Sequence, residues 1–578
     1  MSAVHKLITD HLDIWTAADT EKKSGRGRAS GNANSVYGMK KLRELILELA
    51  VRGKLVPQDP SDEPASELLK RILAEKAKLI ADRKIKKDKP LSPIAEDEEH
   101  YKLPSNWVWT RLGEITNFGI TEKLEKIPDD IWVLDLEDIE KDTSRLLQKF
   151  KFSERRSLSD KNSFHGGDVL YGKLRPYLNK VIVADEPGVC TTEILPIRCY
   201  STLDSDYLKN ALKSPSFVSY VNARSYGMKM PRLGTEDGRK AVFPLPPLAE
   251  QHRIVAKVDE LMALCDQLEA QHNNATDAHE QLVSYLLSTL TQSQDAEDFN
   301  ANWQRIATHF DTLFTTESSI DALKQTLLQL AVIGKLVPQD PNDEPASELL
   351  QRIQVEKSML VTEGKIKKTK PLAAIGDSPF DLPPNWAWAR FPEVGEFGRG
   401  KSKHRPRNDP KLFNPEIYPL VQTGEVARAD NLISEFHSKY SEIGLAQSKM
   451  WPQGTMCITI AANIADSAIL GFDACFPDSV VGFVPYTPLK DARYFLYFMK
   501  TARADLLKFA PATAQKNINL EILESVLIPI PPLNEISRIV AKVDELMTLC
   551  EHLKSLITDS RQNQRKLADV LMDQALML

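Results

Sequence analysis

Several stretches of this chain combine cations, amides and aromatic rings in a way that suits contact with nucleic acid. Tyr171 to Lys180 reads YGKLRPYLNK, where Lys173, Arg175 and Lys180 interleave with Tyr171 and Tyr177 after a Gly166-Gly167 turn. Ser225 to Leu233, SYGMKMPRL, brings Lys229 and Arg232 close together. Phe397 to Pro410, FGRGKSKHRPRNDP, is the densest basic stretch and holds Arg399, Lys401, Lys403, His404, Arg405 and Arg407. Ala512 to Glu521, ATAQKNINLE, offers Gln515, Lys516 and Asn517, and LVQTGEV adds Gln422 and Thr423. Ammonium and guanidinium groups neutralise phosphates, while forked Arg, Asn and Gln side chains donate to base edges. Glycines within the third stretch suit close approach to a phosphodiester backbone. The third stretch also reads as a solvated charge run, and the first as a buried strand and turn with solvated lysines.

Other chemistry has weaker support. Gly395 to Ser402, GEFGRGKS, satisfies the G-x-x-x-x-G-K-S phosphate-loop pattern. A nucleotide-dependent DNA-processing enzyme is the alternative this segment raises, and it requires a buried strand before the loop and a helix after it. Pro406 and Pro410 oppose that helix, and ARFPEVGEF ahead is a poor buried strand. NPEIY, from Asn414 to Tyr418, only loosely resembles the N-P-P-Y motif of amino-methyltransferases, with no glycine-rich strand-turn-helix signature beside it. The 11 histidines show no HxxxH or HExxH spacing, and the 6 cysteines form no CxxC pair, so neither a metal nor a catalytic residue is expected. Cys265 and Cys550 read as small apolar core residues.

The elements that must position these groups come in two copies. Gly53 to Leu69, GKLVPQDPSDEPASELL, returns as Gly334 to Leu350 with one change, Ser61 against Asn342. Arg253 to Cys265, RIVAKVDELMALC, returns as Arg538 to Cys550, with Ala263 against Thr548. The first block continues through LPSNWVWTRLGEI at Leu103, matched by LPPNWAWARFPEV at Leu382, and DHLDIW at Asp10 faintly resembles THFDTLF at Thr308. Ser24 to Ser35, SGRGRASGNANS, reads as a flexible linker. Between each Trp-containing opening and the next proline motif, PLPPL at Pro244 or PIPPL at Pro529, lies an insert unlike its counterpart. Short apolar runs broken by Gly, Pro and Asn predict mixed α+β inserts.

After each proline motif, Ile254, Val258, Leu261, Cys265 and Leu268 step by four and three, as do Ile539, Val543, Leu546, Cys550 and Leu553. That spacing puts one apolar seam on each helix, and each seam requires a partner. Helices of roughly 40 residues, about 60 Å, are expected. The partners predicted are helices carrying Leu42, Leu45, Ile46 and Leu49, and Leu323, Leu327 and Leu330. The last helix is placed to close onto the first, which makes the repeat circular. A length of 578 residues with 42% hydrophobic and 27% charged content fits several soluble globular units. A formal net charge of -6 excludes a uniformly basic coat but not a basic face. The N-terminus lacks the apolar centre of a secretory signal and no apolar run could span a bilayer, so a cytoplasmic protein without membrane contact is expected.

The two frames, PLPPLAEQHRIVAKVDELMALCDQLE from Pro244 and PIPPLNEISRIVAKVDELMTLCEHLK from Pro529, with the LP-x-NW-x-W openings, resemble the DNA-specificity subunits of type I restriction-modification systems. The GKLVPQDP blocks resemble the subgroup called type IB. In the second frame Glu535-Ile536-Ser537 replaces Glu250-Gln251-His252, which puts any role of that glutamine in doubt. The resemblance implies an α+β fold with two target-recognition domains, 101–243 and 380–528, separated by long antiparallel coiled-coil helices on a pseudo-twofold frame. The frame would comprise 1–100, 244–379 and 529–578. It further implies a non-catalytic subunit that reads a bipartite, asymmetric double-stranded DNA target. The partners implied are two modification (methyltransferase) subunits and motor-nuclease restriction subunits, which would hold S-adenosylmethionine, ATP and Mg2+; no cofactor is expected in this chain.

Overall fold

Apolar residues spaced by four and three build two helices of 45 residues each, Leu248–Gln292 and Leu533–Met577. The structure, a computed structural model, describes residues 9–17, 36–85, 89–124, 126–155, 160–200, 203–366, 375–376, 378–461, 464–489, 491–508 and 518–577. Ser24 to Ser35, read as a linker, and Gln515, Lys516 and Asn517 lie outside the described residues. The chain divides into two compact units, Met1–Thr276 with Asp559–Leu578, and Asp277–Thr558. Each long helix therefore begins in one unit and ends in the other.

In the first unit, the helix Tyr37–Val51 buries Leu42, Leu45, Ile46 and Leu49 against Ile254, Val258, Leu261 and Cys265 in one core, with Leu268 at its margin. Ala568, Leu571 and Ala575 of the last helix complete that core. Polar contacts fix the directions. Arg43 donates to Asp266 and Glu269 at 2.7 and 2.8 Å, while Gln58 reaches Glu250 at 2.6 Å, so this helix runs antiparallel to the first long helix. The Tyr37 hydroxyl donates to Asp569 at 2.8 Å and Lys54 to the Leu576 carbonyl at 3.1 Å, so it runs parallel to the end of the second. The expected closure of the last helix onto the first is thus present inside this unit. Trp15, from the faint upstream match, is fully buried in the same core.

The first insert leaves and rejoins this frame through one ladder. Strand β1 (Val108–Arg111) pairs antiparallel with a strand at Val242–Leu245, Val108 opposite Leu245 and Arg111 opposite Val242. Between them lie β2 (Trp132–Leu134), β3 (Phe150–Lys151), β4 (Lys161–Phe164), β5 (Val169–Gly172), β6 (Val181–Val183), β7 (Gly188–Thr191) and β8 (Ile194–Ile197), and the rejoining strand is β9. They form sheets in the orders β3-β2-β7-β4 and β6-β5-β8. Side chains alternate across the sheet, so Val169 and Tyr171 of β5 enter the helix-backed core while Leu170 packs with Trp132, Leu134 and Cys190 on the other side. With both faces covered, the strand is apolar throughout rather than alternating.

The second unit repeats the scheme. The helix Glu317–Val332 shares a core containing Leu323, Leu327 and Leu330 with Cys550 and with Val283, Leu287 and Leu290, and Leu546 and Leu553 pack at its edge. Lys324 pairs with Glu551, and Lys554 with Asp321 at 2.9 Å, giving an antiparallel pair. Lys335 donates to the Thr291 and Ser293 carbonyls at 3.0 and 2.7 Å, which aligns this helix with the end of the first long helix. Ile539 and Val543 pack in a second core beneath the insert. Strand β10 (Ala387–Ala389) opens the insert and pairs with its closing strand, Ile528–Ile530. In order follow β11 (Gly395–Arg399), β12 (Tyr418–Leu420), β13 (Leu432–Ile433), β14 (Ser438–Tyr440), β15 (Met450–Trp451), β16 (Met456–Thr459), β17 (Ser467–Leu470), β18 (Ala474–Cys475) and β19 (Val480–Pro485). Their sheets run β11-β19-β16-β17-β13 and β14-β12-β18-β15. Mixed sheets and helices in both units make the fold α+β.

Candidate nucleic-acid interface

In the first insert the structure separates the basic stretches into scaffolding and display. Tyr171 is 3% exposed and packs against Phe118 and Phe217, ring centroids 6.5 and 6.1 Å away. Burial pushes its phenol pKa up. As an odd-numbered residue of β5 it faces the core, so its side chain is not a DNA contact. Lys180 donates to the Leu136 carbonyl at 2.6 Å, and burial lowers its pKa. Arg175 takes a left-handed backbone (φ 51°) and its amide donates to the Pro231 carbonyl at 2.7 Å. Its Nε is buried without a hydrogen-bond partner. Arg232 grips Glu193 through Nε and Nη2 at 3.0 Å each. Lys180 and Arg232 therefore hold the fold together and are not free cations. Lys173, half-buried, and Lys229, exposed, make no side-chain ion pair among the described residues.

In the second insert β11 lies at a sheet edge, with Arg399 opposite Val481 on β19. The chain then passes Gly400, whose added Cβ would sit 2.2 Å from the Phe476 carbonyl oxygen, so only glycine fits this exit. The following loop is pinned by Gln447, whose Oε1 accepts from the amides of Lys403 and His404 at 2.7 and 3.1 Å. His404 bonds Asp409 at 2.9 Å, and Arg407 donates to Asp478 at 2.8 Å. The Lys411 amide first, and then His404, hold the Asp409 carboxyl below its ordinary pKa. Arg405 folds back onto the Ser402 and His404 carbonyls at 2.7 and 2.9 Å. Arg399, Lys401 and Lys403 are exposed and without side-chain ion pairs among the described residues. Gln422 is exposed ahead of the short helix Thr423–Arg428, where Thr423 is half-buried.

A set of repeated residues not predicted from sequence fastens each insert to its frame. Trp107 Nε1 donates to the buried Glu250 at 2.9 Å, and Gln58 donates to the other oxygen. In the second copy Trp386 Nε1 donates to Glu535 at 3.1 Å, but the remaining oxygen of Glu535 is buried without a partner. Burial raises both carboxyl pKa values, opposed first by the tryptophan bond in each case. Arg253 pairs with Asp62 at 2.6 Å, and Arg538 with Asp343 at 2.7 Å. The buried Tyr207 and Tyr494 hydroxyls donate to the Pro244 and Pro529 carbonyls at 2.9 and 2.6 Å. All but the two tyrosines stand in blocks retained in both copies, Gln58 with Gln339 among them. Gln251, absent from the second frame, is fully buried and accepts from the Asp204 amide at 2.9 Å, a packing role that Ile536 takes without hydrogen bonds from its side chain.

The chain is 41% identical over 604 residues to the type I restriction enzyme EcoAI specificity subunit of Escherichia coli, covering 99% of this chain and 100% of that one. It belongs to the type I restriction specificity subunits. The EcoEI specificity subunit, also from Escherichia coli, is 40% identical over 605 residues, with 99% and 100% covered. The family model for the type I restriction modification DNA specificity domain matches residues 383–559. A chain from a solved type I R-M system is 20% identical, with a TM-score of 0.48, 82% of this chain and 99% of that chain covered. The full-length matches extend through the GKLVPQDP blocks that carried the type IB-like resemblance.

A specificity subunit is the non-catalytic, DNA-binding component of its complex, and the phosphate-loop pattern is accordingly a coincidence of composition. Gly395 to Arg399 is an edge strand, and no helix follows Lys401; the next helical turn is the short one at Pro410–Leu412. Asn414 to Tyr418 leads into β12, where the Tyr418 hydroxyl donates to Glu442 at 2.7 Å. Among the described residues no group of three His, Cys, Asp or Glu is placed to hold a metal, and no helix is long and apolar enough to cross a membrane.

Proposed function

We propose that this specificity subunit reads a split, asymmetric duplex target, one half through residues 101–243 and the other through residues 380–528. The observation that carries the reading is the pair of matching antiparallel ladders, β1 with β9 and β10 with the closing strand Ile528–Ile530, from which two unlike inserts are suspended. Equal attachments carrying unequal readers specify unequal half-sites. Arg399, Lys401 and Lys403 would bind phosphates in the second half, where Gln422 and Thr423 are further candidates, and Lys173 and Lys229 would do so in the first. Gln515, Lys516 and Asn517 remain candidates for base edges. The regions 1–100, 244–379 and 529–578 would space the readers and seat two methyltransferase subunits and the restriction subunits. S-adenosylmethionine, ATP and Mg2+ would be held by those partners, and the complex would work in the cytoplasm.

Mapping methylated adenines by long-read sequencing in cells carrying the system tests this reading. The expected motif has two specified blocks of different sequence, one methylated adenine in each, and an unspecified gap near one turn of DNA, about 10 bp or less. A single contiguous motif, or two identical half-sites, would overturn it.

A further inference from the structure

The stretch that supplied Lys229 and Arg232 forms a hairpin with an unusual end. Tyr226 and Arg232 exchange both backbone hydrogen bonds, at 3.1 and 2.9 Å. Gly227 makes the turn at φ 106°, where a Cβ would lie 3.0 Å from the Met230 carbonyl oxygen. The stem is tied to the neighbouring Lys173–Pro176 turn by the Arg175 amide on the Pro231 carbonyl (2.7 Å) and the Leu233 amide on the Lys173 carbonyl (3.1 Å). The Arg232 fork on Glu193 anchors its base. At the tip Met228 is 105% exposed and Tyr226 62%, with Met230 also open to solvent. Met228 thus adds nothing to the core, yet a braced stem holds it outward. Lys229 sits between the two methionines and, like Lys173 next to the stem, has no side-chain ion pair among the described residues.

An apolar tip that carries one lysine without an ion pair among the described residues, with a second beside its stem, suits a partner with an anionic backbone and an apolar interior that opens locally, which describes duplex DNA. Met is among the side chains able to enter between base pairs, and partial unstacking costs on the order of a few kcal/mol per step. Its thioether is unbranched and polarizable, so it adapts to the gap it opens. We propose that Met228 is a wedge that enters one base step of the half-site read by the first insert, with Lys229 on the adjoining phosphate. Such a residue reads deformability instead of hydrogen bonds, so the step it enters is a pyrimidine–purine step, the kind most easily unstacked. The inference rests on the two-reader account above.

The test uses the full chain assembled with its methyltransferase partners and duplexes of the mapped target carrying 2-aminopurine at successive positions of the first half-site. Wild-type complex should raise fluorescence at one step away from the methylated adenine. Met228→Ala should abolish that rise and weaken target binding about fivefold, the lower end for one recognised position, while Met228→Leu retains both. Equal fluorescence with Met228→Ala would overturn the wedge. So would a Met228→Ala chain that no longer assembles with its partners, since the tip would then be a protein contact. Wild-type complex that shows no sequence preference would instead bring down the two-reader account, and the wedge with it.

Discussion

Among the described residues Arg399, Lys401 and Lys403 make no side-chain ion pair, whereas Arg407 and His404 are held by Asp478 and Asp409 and Arg405 is folded onto backbone carbonyls. Substituting any of the three with Ala should weaken DNA binding about equally for all sequences and reduce the slope of log K against log salt by about 1, measured by titration at several salt concentrations. Arg407→Ala should also disturb the loop. The carboxylates behind the inserts allow a second prediction. Glu250→Gln places an amide donor against Gln58 or Trp107, whereas Glu535→Gln meets only Trp386, so the first variant should be the less stable by about 1–2 kcal/mol in urea unfolding. Burial raises both folded-state pKa values. Their contribution is therefore full below the ordinary Glu value, about 4.3, and is lost as pH rises through the folded value. Each Gln variant should flatten that loss. The basic residue types were legible in the sequence, but their availability was not. Glu193 and Asp478 choose Arg232 and Arg407 through contacts that the fold brings together.

The seams of the two long helices were legible because a step of four and three has one geometric reading, and Ile254, Val258, Ile539 and Val543 are all buried as that reading requires. The strands were less so. VLYG at β5 lacks alternation, since both its faces are covered, and the sequence left Tyr171 open as a DNA contact when the pleat turns it into the core. The ladders that close each insert were also hidden, because β1 and β9 lie at its opposite ends in sequence. A prediction at this scale concerns the spacer. Inserting four residues between Ile254 and Leu286, about one helical turn of 5.4 Å, should change the unread gap of the methylation motif by about 1–2 bp and leave both half-sites intact. An unchanged gap in the sequenced motif would remove the spacer role.

Across the whole chain the repeat is circular. Asp569 near the C-terminus bonds Tyr37 in the unit that contains the first insert, while Glu551 on the same helix pairs with Lys324 in the other unit. Each frame is completed by the end of the helix that begins in the other, and the insert joins it through the ladder, the carboxylate behind it and a shared apolar core. Readers attached in that way should be exchangeable one at a time. The most direct measurement replaces residues 101–243 with the corresponding insert of a relative of different target and sequences the methylated adenines made by the reconstituted complex. One half of the motif should change while the other half and the gap stay as they were. If both halves change, or if the replaced chain modifies the original motif, two independent readers on a shared frame is the wrong description of this molecule.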